Sequence, residues 1–301
     1  MRKYYAIAVV AVLGSAAWVW REPLRLGGLW AAGRAKGCSF SRSVASAQVT
    51  RDNTAIKDRI LAASREVRRD DAARLSLWNT PDGPYWITSG SQWDLPWNLA
   101  EQQRDIYGQD GHGVKPGDIV LDCGANVGVY VRKALNAGAK LVVAIEIAPD
   151  NIECLRRNFA SEIAAGRVIV YPKGVWNKDD LLTLNLPDNE AAASVVMKPA
   201  SSRKGPKVPL TTIDKLVAEL NLERVDFIKM DIEGAEVPAL EGARETLKRW
   251  RPRMALAAYH KPDDPETIPA MARAAVPGYN VVCGPCADAG SFIRPDVLYL
   301  F

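Results

Sequence analysis

From Gly117 to Phe301 the chain alternates short apolar runs with helical stretches, and that alternation constrains the fold more than any other feature of its 301 residues. The runs are Ile119–Leu121, Lys140–Ile147, Val168–Val170, Val225–Met230 and Met254–Ala258, with Tyr279–Val282 and Val297–Phe301 last. Helical spacing separates them. Ile152, Leu155 and Phe159 share one face. Ile213, Leu216, Val217 and Leu220 fall at i, i+3, i+4 and i+7, with Thr211 and Asp214 at capping-box spacing. A further helix is predicted from about Ala235 to Trp250. Strands apolar at every position are buried on both faces, and right-handed crossovers then build a mostly parallel, doubly wound sheet. Ligands of such sheets bind beyond the C-terminal strand ends, so the loop after the first strand is the place for a cofactor.

That loop reads Asp122-Cys123-Gly124-Ala125-Asn126-Val127-Gly128 and opens a helix. Gly124 lets the backbone turn and come close to a ligand, Asn126 tolerates a left-handed conformation, and Gly128 lets the helix pack near the strand. Eighteen residues after Gly128, Glu146 ends the second strand, where a carboxylate can accept the hydroxyls of an adenosine ribose. The dinucleotide fingerprint G-x-G-x-x-G is absent. A pyrophosphate would be repelled by Asp122 at the mouth of the loop, whereas a sulfonium and an ammonium would be attracted. The Coulomb sign therefore favours S-adenosylmethionine over NAD.

A second cluster is Lys229-Met230-Asp231-Ile232-Glu233-Gly234-Ala235-Glu236. Asp231 ends the fourth strand on the ligand edge, where it can orient an acceptor hydroxyl or act as a general base. Helix capping and dipole matching account for Glu236. A divalent cation held by Asp231 and Glu233 would need a third ligand that the sequence does not identify, so no metal is expected. Tyr259-His260 ends the fifth strand on the same edge, which gives His260 a place in handling substrate. His112 precedes the first strand and reads as a surface loop residue. The stretch Asn177–Pro209, with Ala191-Ala192-Ala193-Ser194 and Ser201-Ser202-Arg203-Lys204-Gly205, reads as a long irregular lid over the acceptor.

The N-terminal part differs in charge. Residues 1–70 carry a net +8 and the remainder a net −4. Arg2 and Lys3 precede an uncharged run, Tyr4–Trp20, whose seventeen residues would span about 26 Å as a helix, just short of a hydrocarbon core of about 30 Å. Trp18 and Trp20 suit an interfacial belt. Residues 1–21 are thus read as a membrane anchor, the rival being a cleaved signal with Ser15, Ala16 and Ala17 near the cut. Arg21, Arg25, Arg34, Lys36 and Arg42 follow the run and place the body of the protein in the cytoplasm by the positive-inside rule. The basic segment suits anionic lipid rather than nucleic acid. Residues 22–48 read as a linker and 49–110 as an accessory region. The latter holds a surface helix over 54–69, a hairpin around Thr80-Pro81-Asp82-Gly83 and a short helix Leu99–Tyr107. Residues 111–301 form the α/β domain. Cys38, Cys123, Cys154, Cys283 and Cys286 are an odd, scattered set with no disulfide framework, as in a reducing compartment. Cys283-Gly284-Pro285-Cys286 has dithiol spacing, but a Gly-Pro turn after a strand accounts for it.

At these residues the chain resembles the FkbM family of S-adenosylmethionine-dependent methyltransferases. The stretches that carry the resemblance are Lys115–Gly128, Ala144–Asn151 with Leu155 and Asn158, Thr212–Asp214, and Val225–Glu236 with Leu240, Gly242 and Ala243. The resemblance implies a Rossmann-like class I methyltransferase fold with an antiparallel last strand. Here a small N-terminal α+β segment and the hydrophobic anchor would precede it. It implies methyl transfer to oxygen, on a hydroxyl of a sugar, glycolipid or secondary metabolite. Carried over by position, Asp122, Gly124, Asn126 and Glu146 would bind S-adenosylmethionine, while Asp231 and Glu233 would line the site. Places in the same loop add Ala125 and Gly128 to the cofactor set, and its place at a strand end adds His260 to the catalytic candidates Asp231 and Glu233. The rival readings are an NAD-dependent oxidoreductase on the same sheet and a membrane-tethered binding protein with a vestigial cofactor site.

Overall fold

The computed structural model describes residues 21–186, 194–197 and 203–301. The N-terminal elements are α1 (residues 21–31), α2 (Phe40–Ala63), the strands β1 (Arg65–Asp70), β2 (Leu75–Thr80) and β3 (Gly83–Thr88), and α3 (Asp94–Gln103). The expected hairpin is present: β2 pairs with β3 across Thr80-Pro81-Asp82-Gly83, and Thr80 Oγ1 donates to Gly83 O at 2.7 Å. The predicted linker is mostly helical. Ser39 caps α2 by accepting from the Arg42 N–H, and Ser43, Ser46 and Ala47 lie on its buried face. Small side chains that read as linker composition are here the price of close packing. The predicted helix over 54–69 stops at Ala63, because Arg65–Asp70 pairs with β2 as an exposed, charged edge strand. The short helix predicted from Leu99 begins earlier, at Asp94.

The α/β region follows as β4 (Ile119–Cys123), α4 (Val129–Asn136), β5 (Leu141–Ile145), α5 (Pro149–Asn158), α6 (Ala160–Ala164), β6 (Val168–Tyr171), β7 (Gly174–Val175), β8 (Asp180–Leu186) and β9 (Arg203–Thr211). It continues with α7 (Ile213–Glu219), β10 (Phe227–Met230), α8 (Glu236–Glu241), α9 (Arg244–Trp250), β11 (Arg253–Ala257), α10 (Asp264–Ala275), β12 (Val281–Cys283), β13 (Cys286–Asp288), β14 (Ile293–Pro295) and β15 (Val297–Leu300). Seven strands form the central sheet in the order β12-β15-β11-β10-β4-β5-β6. Neighbours from β6 to β11 are parallel, and the last strand, β15, runs antiparallel to both β11 and β12. This is the mixed class I methyltransferase topology that the resemblance implied.

Alternate residues of each strand feed opposite cores. Leu121, Val143, Ile145, Ile228, Met230 and Leu256 pack with α7, α8, α9 and α10. Val120, Val142, Ala144, Phe227 and Ala255 pack with α4 and α5. Asn158, at the end of α5, joins the N-terminal hairpin to the first loop. Its Nδ2 donates to Trp86 O at 3.0 Å and Val127 O at 2.8 Å, and its Oδ1 accepts from the Trp86 N–H at 2.6 Å.

The excursion over Asn177–Pro209 is not irregular where it is described. β8 and β9 pair antiparallel, with Leu182 opposite Val208, and β7 runs parallel to β9. Leu184, Val208 and Leu210 bury against Ala148. Ala191–Ala193 and Ser201–Ser202 lie outside the described residues, whereas Ser194–Met197 folds back onto the hairpin through Asn185 N–H to Ser194 O at 2.8 Å.

The cysteine expectation is corrected. Cys38 and Cys286 form a disulfide that ties the start of α2 to β13, on which α2 packs. The cysteines therefore stop arguing for a reducing compartment. The Gly284-Pro285 turn does connect strand to strand, from β12 to β13. His112 is no loose surface residue: its ring stacks on Tyr299 and Phe301, with centroids 5.0 and 4.6 Å away. Residues 1–20 of the anchor predicted over 1–21 lie outside the described residues, and among the described residues no helix is long and apolar enough to cross a membrane.

Candidate active site

The loops after β4, β5, β10 and β11 gather at the C-terminal edge of the sheet, and α3 faces them. Between them lies a cavity of about 560 Å³, within the range of small-molecule sites. Gly124, Ala125, Asn126 and Glu146 line one part of it, Asp231, Glu233 and Tyr259 another, and one face of α3 a third.

The first loop is tightly built. Gly124 has φ +80°, and a Cβ there would lie 1.9 Å from the Asp231 carbonyl oxygen, so only glycine fits between the two loops. Asn126 adopts φ 51°, as its residue type allowed. Glu146 holds the loop in place: Oε2 accepts from the Asn126 N–H at 2.7 Å, and Oε1 from the N–H groups of Ile147 and Ala148 at 2.7 and 2.8 Å. A carboxylate offers about four acceptor positions, so one remains for a hydroxyl in the cavity. Burial pushes the Glu146 carboxyl up, against the pull of these N–H groups.

Asp122 does not line the cavity. It is fully buried, with Lys229 Nζ 3.1 Å from its Oδ1, and burial pushes its carboxyl up to about 6 against that pull. Lys229 is buried too. Burial works against its charge, but Asp122 and Asp231 hold the ammonium above its ordinary value. Its Nζ also donates to Gly124 O at 2.9 Å and lies 5.4 Å from the centre of the Tyr107 ring. The charge expected to face a cofactor is thus spent on an internal ion pair, and the acid facing the cavity at this end is Glu146. Gly128 also stays outside the cavity, at the start of α4 beneath Phe159.

Asp231 is clamped. Tyr107 O–H donates to its Oδ2 at 2.7 Å, and Tyr259 O–H to its Oδ1 at 3.2 Å. His260 Nε2 stands 3.4 Å from Asp231 and 3.5 Å from Glu233, while Nδ1 stands 3.1 Å from Glu236 Oε1. Burial disfavours the imidazolium, but Glu236 and Asp231 prevail and raise His260 to about 9. Burial likewise opposes ionisation of Asp231, yet Lys229 and His260 hold it below the usual carboxylate range. Burial pushes Glu233 up to about 7, with His260 pulling down and Asp231 pushing up. His260 therefore sits among carboxylates rather than on the cavity wall. Glu236 does more than match a helix dipole: it accepts from the Ile232 N–H at 3.0 Å and supports His260 from below. Asp231, Glu236 and His260 also offer ligand atoms within 4.8 Å of one another, a set that a metal could use in place of the proton on His260.

Sequence reasoning missed the residues that complete the site from elsewhere. Tyr107 precedes β4 by a loop, Trp93 is the N-cap residue before α3, and Trp97 and Glu101 come from α3 itself, which the sequence reads as an accessory element. Burial and the charge of Asp231 push Glu101 up to about 8. One signal was available for α3: residues 93, 97 and 101 recur at i+4 opposite the buried Leu95 and Leu99. Nothing local marks Tyr107. Ser194 had been placed in the lid, and its Oγ donates to Glu233 O at 2.9 Å, which brings the hairpin tip to the cavity wall.

The solved structure of methyltransferase FkbM from Methylobacillus flagellatus is 18% identical, with a TM-score of 0.45, over 85% of this chain and 60% of its own. The tRNA m1G37 methyltransferase of M. jannaschii is 12% identical, with a TM-score of 0.40, over 75% of this chain and 56% of its own. The chain thus spans less than two thirds of either solved protein. Among curated proteins, the 31-O-demethyl-FK506 methyltransferase FkbM of Streptomyces tacrolimicus is 27% identical over 183 residues, covering 50% of this chain and 70% of that protein. The Methyltransferase FkbM domain matches residues 122–275, half of the chain and all of the loops that meet at the cavity, and on that match the chain belongs to the FkbM methyltransferase family.

Proposed function

We propose that the protein transfers the methyl group of S-adenosylmethionine to a hydroxyl oxygen of a small-molecule acceptor. The observation that carries this reading is a single cavity joining the Gly124–Asn126 loop and Glu146 to Asp231 and Glu233. The residues fit such a cofactor. Glu146 has an acceptor position left for a ribose hydroxyl, and the ionised Asp231, with Glu233 near neutrality beside it, also borders the cavity, as suits a cationic ligand. When bound, the cofactor supplies an already activated methyl group, so the chain's task is alignment and proton removal. Asp231, held ionised by Lys229, His260 and two tyrosine hydroxyls, accepts a hydrogen bond from the acceptor hydroxyl and orients it. Glu233, poised near neutrality, takes the hydroxyl proton as transfer proceeds. His260 acts by holding both carboxylates in place.

Calorimetry with S-adenosylhomocysteine and with NADH tests this. Binding of the former, weakened by Glu146→Ala and retained in Glu233→Gln, is the expected result. Heat from NADH alone, or from neither, sinks the reading. Membrane attachment through Tyr4–Trp20 is a separate proposal, supported by the length of that uncharged run and its terminal tryptophans. Full-length protein should then stay with membranes on carbonate extraction, and release into the wash refutes it.

A further inference from the structure

The loop that carries Glu233 has an uncommon backbone. Ile232 O accepts from the Ala235 N–H at 3.3 Å, which closes a tight turn with Glu233 and Gly234 in the middle. Both middle residues have positive φ, 54° at Glu233 and 89° at Gly234. That is the pattern of a type I′ turn, whose middle positions favour Gly, Asn and Asp. Those residues lack a Cβ or bond to their own backbone, and glutamate has neither advantage. The turn therefore leans on its neighbours. Glu236 accepts from the Ile232 N–H at 3.0 Å, and Lys261 Nζ donates to Gly234 O. The central carbonyl, Glu233 O, takes no part in the turn's own hydrogen bond. Ser194 Oγ, 39 positions upstream, donates to it at 2.9 Å.

Ser194 has no other use for its proton. It is buried, and its hydroxyl accepts from the N–H groups of Val196 and Met197 at 3.0 and 2.7 Å. A hydroxyl has two acceptor positions and one proton, so all three are spent and the proton points at Glu233 O. Ser194 is itself fixed to β8: its backbone exchanges hydrogen bonds with Asn185 at 2.8 and 3.1 Å, and Asn185 Nδ2 donates to Met197 O at 3.1 Å. Val195, next along the chain, lines the cavity together with Glu233. We infer that Ser194 is the positioning residue for Glu233, setting the base from the wall of the acceptor space. The inference rests on the methyltransferase reading, in which Glu233 takes the hydroxyl proton. With its carbonyl held, Glu233 keeps Oε2 at 3.5 Å from His260 Nε2. Asp231, Glu236 and Lys229 are the other charged groups that act on it there. Without Ser194 the central peptide is free to rotate, and the carboxylate can leave this surrounding for water.

Carbon-13 NMR on the full chain, labelled at the glutamate side-chain carboxyl carbon, tests this. The Glu233 signal is identified by its loss in Glu233→Gln. In the wild type it should titrate near 7. In Ser194→Ala its midpoint should fall toward the ordinary glutamate value of about 4.3, because the released carboxylate gains water. Ser194→Thr keeps the hydroxyl and should keep the wild-type midpoint. Asn185→Ala loosens Ser194 without touching the turn, and should lower the midpoint by less. A midpoint unmoved in Ser194→Ala, or in Asn185→Ala if the first variant does not fold, overturns the proposal. So does an ordinary midpoint in the wild type, or an equal fall in Ser194→Thr. Calorimetry on the same samples separates the two readings. S-adenosylhomocysteine should bind Ser194→Ala as it binds the wild type, since Glu146 still holds the Asn126 loop. If it binds and the midpoint is unmoved, the positioning role alone falls. If it does not bind the wild type, the methyltransferase reading falls, and the NMR result still decides whether Ser194 holds Glu233.

Discussion

The sheet side and the helix side of the cavity reach the same space by different routes. On the sheet side, each functional residue sits within a few positions of the strand that delivers it: Gly124 and Asn126 after β4, Glu146 after β5, Asp231 and Glu233 after β10. On the helix side, Trp93, Trp97 and Glu101 arrive because α3 packs on α2, and α2 is in turn held by β13 and the Cys38–Cys286 bridge. The first arrangement is local and rigid. The second depends on contacts between residues far apart in the chain, so it should be the easier to disturb.

Damage to the sheet side should cost the whole fold. In Lys229→Met the fully buried Asp122 loses its ion-pair partner, and stability in urea should fall by about 3–5 kcal/mol. Pairing it with Asp122→Leu should recover most of that loss; no recovery would mean that Lys229 matters through Gly124 O instead. Damage to the helix side should be smaller and separable. Cys286→Ser should cost about 2–4 kcal/mol, expose α2 and α3 first to protease, and leave S-adenosylhomocysteine affinity unchanged. A matching loss of affinity would show that the two sides are not independent.

A pH series addresses the cluster where the sides meet. The folded protein holds His260 near 9, above its unfolded value of about 6.5, so its contribution to stability is complete below about 6.5 and is lost as pH rises through 9. The melting temperature of the wild type should decline over that window, and His260→Gln should remove this part of the decline. An identical decline in the variant would assign it to other groups. The smallest effect is expected for Tyr107→Phe, which removes one hydrogen bond from Asp231. It should cost about 1 kcal/mol of stability in urea and leave the pH at which transfer begins near 7, where Glu233 sets it, because Asp231 is already ionised well below that pH. A shifted onset would show that Tyr107 acts on Glu233 as well.

The β8–β9 hairpin shows how a legible signal can be lost. Leu182 and Leu184, then Val208 and Leu210, alternate at the spacing of two expected of strands with one buried face. The polar composition between them pointed to a loop instead. α2 fails the other way: its serines and alanines carry no amphipathic pattern, and its packing relies on their smallness rather than on their apolarity. For Cys38 and Cys286, 248 positions apart, no local rule could have foretold their pairing.

The seven strands of the central sheet, the turn at Gly124, the acid after β5 and the acids after β10 could all be read from residue order, because each is set by neighbours within one strand, turn or helix. Folding in three dimensions decided which of those acids keep their charge for a ligand. It buried Asp122 against Lys229, enclosed His260 among carboxylates, and brought two tyrosines and a tryptophan-bearing helix to the rim. Desolvation and ion pairing depend on which distant groups come to lie within a few ångströms, and spacing along a chain does not encode that distance.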